Sequence, residues 1–384
     1  MKIRLPDAGG TFEEYQLRGS PLPVTAPKGP FNRIAFAAAH VVADPFSSAD
    51  PMGSPSLDWE TTLAYRRYLL DLGFGIAEAM DTSQRGMGLD WPQALELIRR
   101  SLLDAGARAS LIYSGCGTDH LNPNDARSLD DVIAAYLEQL HAIQKLDGRI
   151  ILMASRALVR VARSPDDYAK VYARVLREAD NPVILHWLGE MFDPALKGYW
   201  GDNDFARTME TCLGIIAENA AKVDGIKISL LDDQKEIVMR RRLPGSVKMY
   251  TGDDFNYPDL IAGDDKGYSH ALLGIFDAIA PAASAALAAL ARHDLATYHS
   301  LMDPTVPLSR LIFRAPTQYY KTGIVFLAWL NGHQNHFVMV AGAQAMRQLP
   351  YFTEVFKLAD QAGLLRDPGL AADRMRRLLA LYGT

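Results

Sequence analysis

Cysteine is almost missing from this chain: Cys116 and Cys212 are the only two in 384 residues. That count excludes a disulfide framework and fits a reducing compartment. Long apolar runs are missing too, since the alanine-rich Ala278–Ala291 is too short and too weakly apolar to span a bilayer. Met1-Lys2-Ile3-Arg4-Leu5-Pro6 lacks the apolar core of a signal peptide. Charge of one sign is scarce: the net charge is -5, with acids and bases mixed, and Arg240-Arg241-Arg242 is the only tight basic run. A dedicated nucleic-acid binder is therefore not expected. No HxH, HExxH or CxxC spacing occurs, and no repeat of fixed period. These absences predict a cytoplasmic protein with neither membrane nor nucleic-acid partners.

What remains is ordinary globular material, 49% hydrophobic and 22% charged. Residues 1–32 are punctuated by Pro and Gly and read as an irregular N-terminal arm with one short hairpin. From Arg33 a regular beat begins. Strand patterns at Arg33–Val42, Gly73–Met80, Ala109–Ser114, Arg149–Ser155, Pro182–Leu188, Asp224–Ser229, Val247–Thr251 and Gly267–Gly274 are each followed by a helical segment. Eight such units predict an α/β fold, a (β/α)8 TIM barrel over residues 33–280, with its active-site face on the loops after the strands. A doubly wound open sheet is the rival. Residues 281–384 read as helices only, including Lys321–Leu330 and Val338–Gln348, and predict a C-terminal helical extension packed on the barrel.

Within this pattern Val223-Asp224-Gly225-Ile226-Lys227-Ile228-Ser229 is unusual, a strand with a lysine inside it. Alternation places Val223, Gly225, Lys227 and Ser229 on the barrel-facing side and Asp224, Ile226 and Ile228 on the other. Gly225 is expected to leave space beside the lysine. A desolvated amine loses its charge readily and attacks carbonyls; a lysine that merely reaches out to water from a strand end is the plainer alternative.

Other strand ends offer His40; Glu78, Asp81, Thr82 and Ser83; Ser114, Cys116, Thr118, Asp119 and His120; Ser155 and Arg156. Further on come His186, Glu190, Thr251, Asp253, Asp254, Ser269 and His270. His186 lies in an otherwise apolar strand, and Thr82-Ser83 supplies two adjacent hydroxyls. Glu78, His186, Asp253 and His270 come from separate strands and are a candidate divalent-metal set.

Several stretches, in order, resemble one family. Gly73–Arg85 (GFGIAEAMDTSQR) is similar to strand two and the Gly-Thr-Thr-Gly-Glu turn of the dihydrodipicolinate synthase and N-acetylneuraminate lyase superfamily, class I aldolases acting on pyruvate-type 2-oxo acids. Pro182–His186 is similar to the strand ending in that superfamily's catalytic tyrosine, and Val223–Ser229 to the strand bearing its Schiff-base lysine. Val247–Asp254 and Phe313–Gly332, with Tyr320-Lys321, complete the match. More narrowly, the chain resembles the divergent DUF993 branch. Three departures stand out: His186 replaces tyrosine, Gln84-Arg85 replaces Gly-Glu, and Gly189-Glu190-Met191 stands where an arginine for the second substrate is expected. Dihydrodipicolinate synthesis itself is therefore not expected.

The resemblance implies a class I aldolase or lyase of carbohydrate or 2-oxo acid metabolism that needs no cofactor beyond a covalent lysine imine. Lys227 would be the nucleophile, His186 the proton carrier, and Thr82 and Ser83 a carboxylate-binding or relay pair. Glu78, Asp253 and Ser229 would bind substrate, a small-molecule carbonyl compound derived from a 2-oxo acid or oxidised sugar. Relatives imply a homo-oligomer, dimer or tetramer. The alternatives are a metal-dependent sugar isomerase, epimerase or aldolase, and a carbohydrate-binding protein without turnover.

Overall fold

The computed structural model describes residues 1–18, 20–51 and 53–384. The arm forms the expected hairpin, β1 (Lys2–Pro6) antiparallel to β2 (Phe12–Gln16). Then come β3 (Ala35–Ala38), β4 (Gly75–Glu78), β5 (Ile112–Cys116) and β6 (Arg149–Leu152). β7 (Val183–Leu188), β8 (Val223–Ser229), β9 (Lys248–Thr251) and β10 (His270–Leu273) follow. These eight close a parallel barrel in the order β10-β3-β4-β5-β6-β7-β8-β9. The protein is a (β/α)8 TIM barrel, and the open-sheet rival falls.

Between strands run α1 (Trp59–Asp71), α2 (Trp91–Ala105), α3 (Leu129–Gln144), α4 (Arg156–Val161) and α5 (Pro165–Arg177). α6 (Phe205–Glu218), α7 (Asp233–Arg240) and α8 (Tyr257–Ala262) complete the layer. Their starts are written locally. Asp90 accepts from the Gln93 amide ahead of α2, Ser128 and Asp131 form a reciprocal capping box on α3, and Asp204 accepts from the Arg207 amide on α6.

After β10 come α9 (Ile275–Ala278), α10 (Ala280–Ala291), α11 (Leu295–Met302) and α12 (Val306–Ile312). α13 (Tyr320–Leu330), α14 (Leu349–Gln361) and α15 (Pro368–Leu381) end the chain. Every residue of α13 is buried, Lys321 and Thr322 of its first turn included, and from Ile324 to Leu330 it is apolar without a break. The helix expected over Val338–Gln348 is instead a pair of short 3-10 turns, broken where Ala341 and Gly342 take left-handed φ of 54° and 65°.

Two apolar regions organise the interior. Phe36, Ala38, Ala77, Ile151, Ile184, Tyr250 and Leu272 fill the barrel. A larger core outside the strands runs from Ile3 and Leu5 of the arm to Leu379 of α15. The arm lies against the C-terminal helices, where Tyr15 donates to Asp360 at 2.8 Å.

Candidate active site

A bulge sets the phase of β8. Val223 pairs with Val183, but Gly225 pairs with the next residue, Ile184, leaving Asp224 without a partner across the ladder. From Gly225 onward the expected alternation holds, with Ile226 and Ile228 packed in the outer core. Before the bulge it fails: Val223 also joins the outer core, while Asp224 binds Lys248 Nζ at 2.6 Å and Tyr250 OH at 2.7 Å. One extra residue reverses which side a strand presents. Gly225 makes room for the Tyr250 ring and not for the lysine, because a Cβ there would lie 2.5 Å from Tyr250 Cε2. The lysine's space comes from Gly252, where a Cβ would stand 2.3 Å from Ser229 Oγ and 2.7 Å from Lys227 Cε.

Lys227 is 7% exposed and donates no hydrogen bond to any described residue. Burial pulls its pKa below the ordinary lysine value, and the carboxylates of Asp81 and Asp254 oppose that shift. Its chamber has a volume of about 10 Å³, room for roughly one water. Asp81, Thr82, Ser229, Asp254 and Tyr320 supply polar walls, and Leu188, Phe192 and Phe313 the apolar cover.

The walls are held from behind. Asp254 accepts from the Ile275 amide at 2.9 Å, and burial raises its carboxyl to about 7. Thr82 Oγ1 lies 2.8 Å from Tyr320 OH, whose ring stacks on Phe313 at 4.3 Å. Burial keeps the Tyr320 phenol protonated. The turn bearing Asp81 and Thr82 is pinned between two left-handed residues, Ala79 (φ 52°) and Gln84 (φ 65°). Gln84 Nε2 donates to the Val340 carbonyl at 2.9 Å, which ties the turn to the broken 3-10 segment.

His186 is the lateral neighbour of Lys227 across the β7–β8 pair, and its Nε2 lies 3.2 Å from Ser229 Oγ. Burial, and then the nearby Lys227, hold its pKa well below the usual histidine value. It therefore stays neutral, which weakens it as the proton carrier expected from the sequence. Its ring borders an outer cleft of about 230 Å³ that meets the chamber at Asp81 and Leu188.

Lys227, Ser229 and Thr82 thus share one chamber with His186 beside it, but four other candidates go elsewhere. Glu78 ends β4 facing the helix layer, where its carboxylate binds Arg66 at 2.8 and 3.0 Å and accepts from Ser101 at 2.6 Å. It is a buried, fully engaged partner of α1 and α2, not a substrate ligand. Asp253 spends its oxygens on the Phe255 and Asn256 amides and the Asn256 side chain. Ser83 Oγ donates to the Ala39 carbonyl at 2.6 Å and does not line the chamber. His270 sits at the start of β10, at the opposite end of the barrel, with Nδ1 accepting from the Ile34 amide at 3.0 Å. Glu78, His186, Asp253 and His270 do not converge, so the alternative metal set is not assembled. Among the described residues no three His, Cys, Asp or Glu side chains gather as a metal-binding group.

The sequence did not rank Asp81, Asp254 or Tyr320 as site residues. The first two stand among many strand-end acids, and only the closed barrel shows which turn inward. Tyr320 arrives from a helix beyond the barrel; the resemblance included Tyr320-Lys321 but gave neither residue a role at the site.

A family model described as a protein of unknown function, DUF993, matches residues 3–384. The chain belongs to the DUF993 family. No curated protein sequence matches it. Among solved structures it is similar to YagE, a prophage protein of the dihydrodipicolinic acid synthase family from E. coli K12 in complex with pyruvate. That match has 14% identity and a TM-score of 0.67, covering 87% of this chain and 99% of that one. Dihydrodipicolinate synthase from Thermotoga maritima gives 14% identity and 0.64 over 88% and 100% of the two chains. The chloride-inhibited synthase from Acinetobacter baumannii complexed with pyruvate gives 15% and 0.62 over 86% and 99%. At these identities the likeness establishes a shared fold. No helix among the described residues is long and apolar enough to cross a membrane.

Proposed function

We propose that this DUF993 protein is a class I aldolase or lyase that makes or breaks a carbon–carbon bond in a 2-oxo acid or oxidised sugar-derived substrate through an imine on Lys227. The observation that carries the reading is the lysine itself. It is a buried amine with no hydrogen-bond partner among the described residues, its pKa depressed, at the C-terminal end of a barrel strand. The pyruvate complexes of similarly folded proteins support a small carbonyl substrate and a reaction without a bound cofactor.

In this reading the lone pair of neutral Nζ attacks the substrate carbonyl carbon. Asp254, protonated near neutral pH, gives its proton to the carbinolamine oxygen, which leaves as water. The iminium withdraws the electron pair of the adjacent C–C bond as it breaks, giving an enamine. The substrate hydroxyl meanwhile becomes a carbonyl and loses its proton to the Asp254 carboxylate. Returning that proton to the enamine carbon and adding water to the imine releases the second product and restores Lys227. Thr82 and Tyr320 hold a substrate carboxylate or hydroxyl by hydrogen bonds. Neutral His186 shares a hydrogen bond with Ser229 and orients it.

Borohydride reduction in the presence of 2-oxo acids, followed by intact mass and peptide mapping, tests this. The expected result is an adduct on Lys227 that is absent in Lys227→Arg. No adduct from a broad panel, on protein that still melts cooperatively, would sink the reading.

A further inference from the structure

The Lys227 chamber admits roughly one water, so most of any substrate must lie in the outer cleft that adjoins it at Asp81 and Leu188. Two arginines border that cleft, and they differ. Arg85 is fully committed: it donates to the Ala79 and Gly115 carbonyls, to Gln139 and, through two nitrogens, to the Asp119 carboxylate. Among the described residues Arg156 is held only by its Nε, 2.5 Å from Asp193 Oδ2. Its two Nη groups have no acceptor among the described residues, and they pass within 4 Å of where a Cβ on Gly86 would stand. A guanidinium fixed at one nitrogen and open at the other two presents a fork suited to a carboxylate. Lys321 adds to the positive field. Among the described residues its buried ammonium donates to the Gln318 carbonyl and Met87 Sδ and lies over the Tyr320 ring, and it feels Asp81, Asp193 and Arg156.

We propose that Arg156 binds a second carboxylate, at the end of the substrate remote from the carbonyl that reacts with Lys227, so that the natural substrate is a dicarboxylic 2-oxo compound. This rests on the Lys227 reading and narrows it. A singly charged carboxylate fits better than a phosphate dianion, because Asp81, Asp119 and Asp193 border the same cleft and only two of them are paired with arginine.

Matched pairs of 2-oxo acids test the proposal: 2-oxoglutarate against 2-oxopentanoate, and 2-oxoadipate against 2-oxohexanoate, scored by the concentration that half-saturates borohydride trapping on Lys227. At least one diacid should trap at about tenfold lower concentration than its partner, the worth of a charge-assisted pair. That preference should fall to about one in Arg156→Gln and be partly kept in Arg156→Lys. Glutarate and adipate have no ketone, and one of them should raise the melting temperature of the wild type but not of Arg156→Gln. Trapping on Lys227 with no diacid preference would overturn the carboxylate site and leave the lysine reading standing. No trapping, with Arg156-dependent stabilisation by the diacids, would do the reverse. Stronger Arg156-dependent stabilisation by inorganic phosphate than by either diacid would overturn the choice of carboxylate.

Discussion

Burial takes most of the water from Lys227 and no described residue accepts a hydrogen bond from it, while the charges of Asp81 and Asp254 oppose the fall in its pKa that burial causes. Asp254 is the more informative of the two, because burial raises its carboxyl to about 7. An unfolded aspartic acid titrates near ~4. Between these values the folded protein keeps a proton that the unfolded chain has released, so this group's contribution to stability is lost as pH rises from about 4 through about 7. The stability difference between Asp254→Asn and wild type, followed by denaturant titration, should therefore shift in favour of the variant as pH crosses that window. Imine trapping in the wild type should slow above pH of about 7 as the Asp254 acid is consumed. Asp254→Asn should lose that limb of the profile and trap more slowly at every pH. A wild-type rate that keeps climbing past that pH would remove Asp254 from the chemistry.

At the scale of elements, the site depends on how tightly strands approach one another. Gly252 follows β9 and lets Lys227 and Ser229 of β8 pass where any side chain would collide. Gly252→Ala is expected to cost about 1–3 kcal/mol in overpacking, read by denaturant unfolding, and to depress trapping on Lys227 by displacing its Cε. Full trapping in a destabilised variant would show that the lysine tolerates displacement. The β7–β8 bulge works the other way. By adding one residue it frees Asp224 for Lys248 and Tyr250 while keeping Lys227 inward. The Arg66–Glu78 pair sits behind β4 and joins strand to helix, and its burial means that loss of either partner leaves an uncompensated charge.

Across the whole molecule, arm, barrel and C-terminal helices share one apolar core, and α13 carries Tyr320 to the open end of the barrel. The segments that line the Lys227 chamber, from β3 to α13, are expected to suffice for imine trapping, so its rate should not fall on dilution through the concentration at which light scattering shows any oligomer to dissociate. A fall in step with dissociation would mean that a second copy completes the site.

Much of this was legible in the residues. Periodicity is local, so Val183–Leu188 and Val223–Ser229 read as strands, and the eightfold alternation of strand and helix read as a barrel with Lys227 inside it. The resemblance in GFGIAEAMDTSQR and VDGIKIS pointed to the same lysine and to Thr82. What the sequence by itself determined was most of the elements, their order, and a lysine inside β8 that no strand needs for packing. Only the tertiary structure decided which acids serve that amine. Glu78 and Asp253 look like site residues by position, yet one is taken by Arg66 and the other by its own turn, while Asp81, Asp254 and Tyr320 converge instead. The physical reason is that a strand's period is set by bonds between neighbours, whereas the partner of a carboxylate is set by whatever distant segment the closed barrel brings against it.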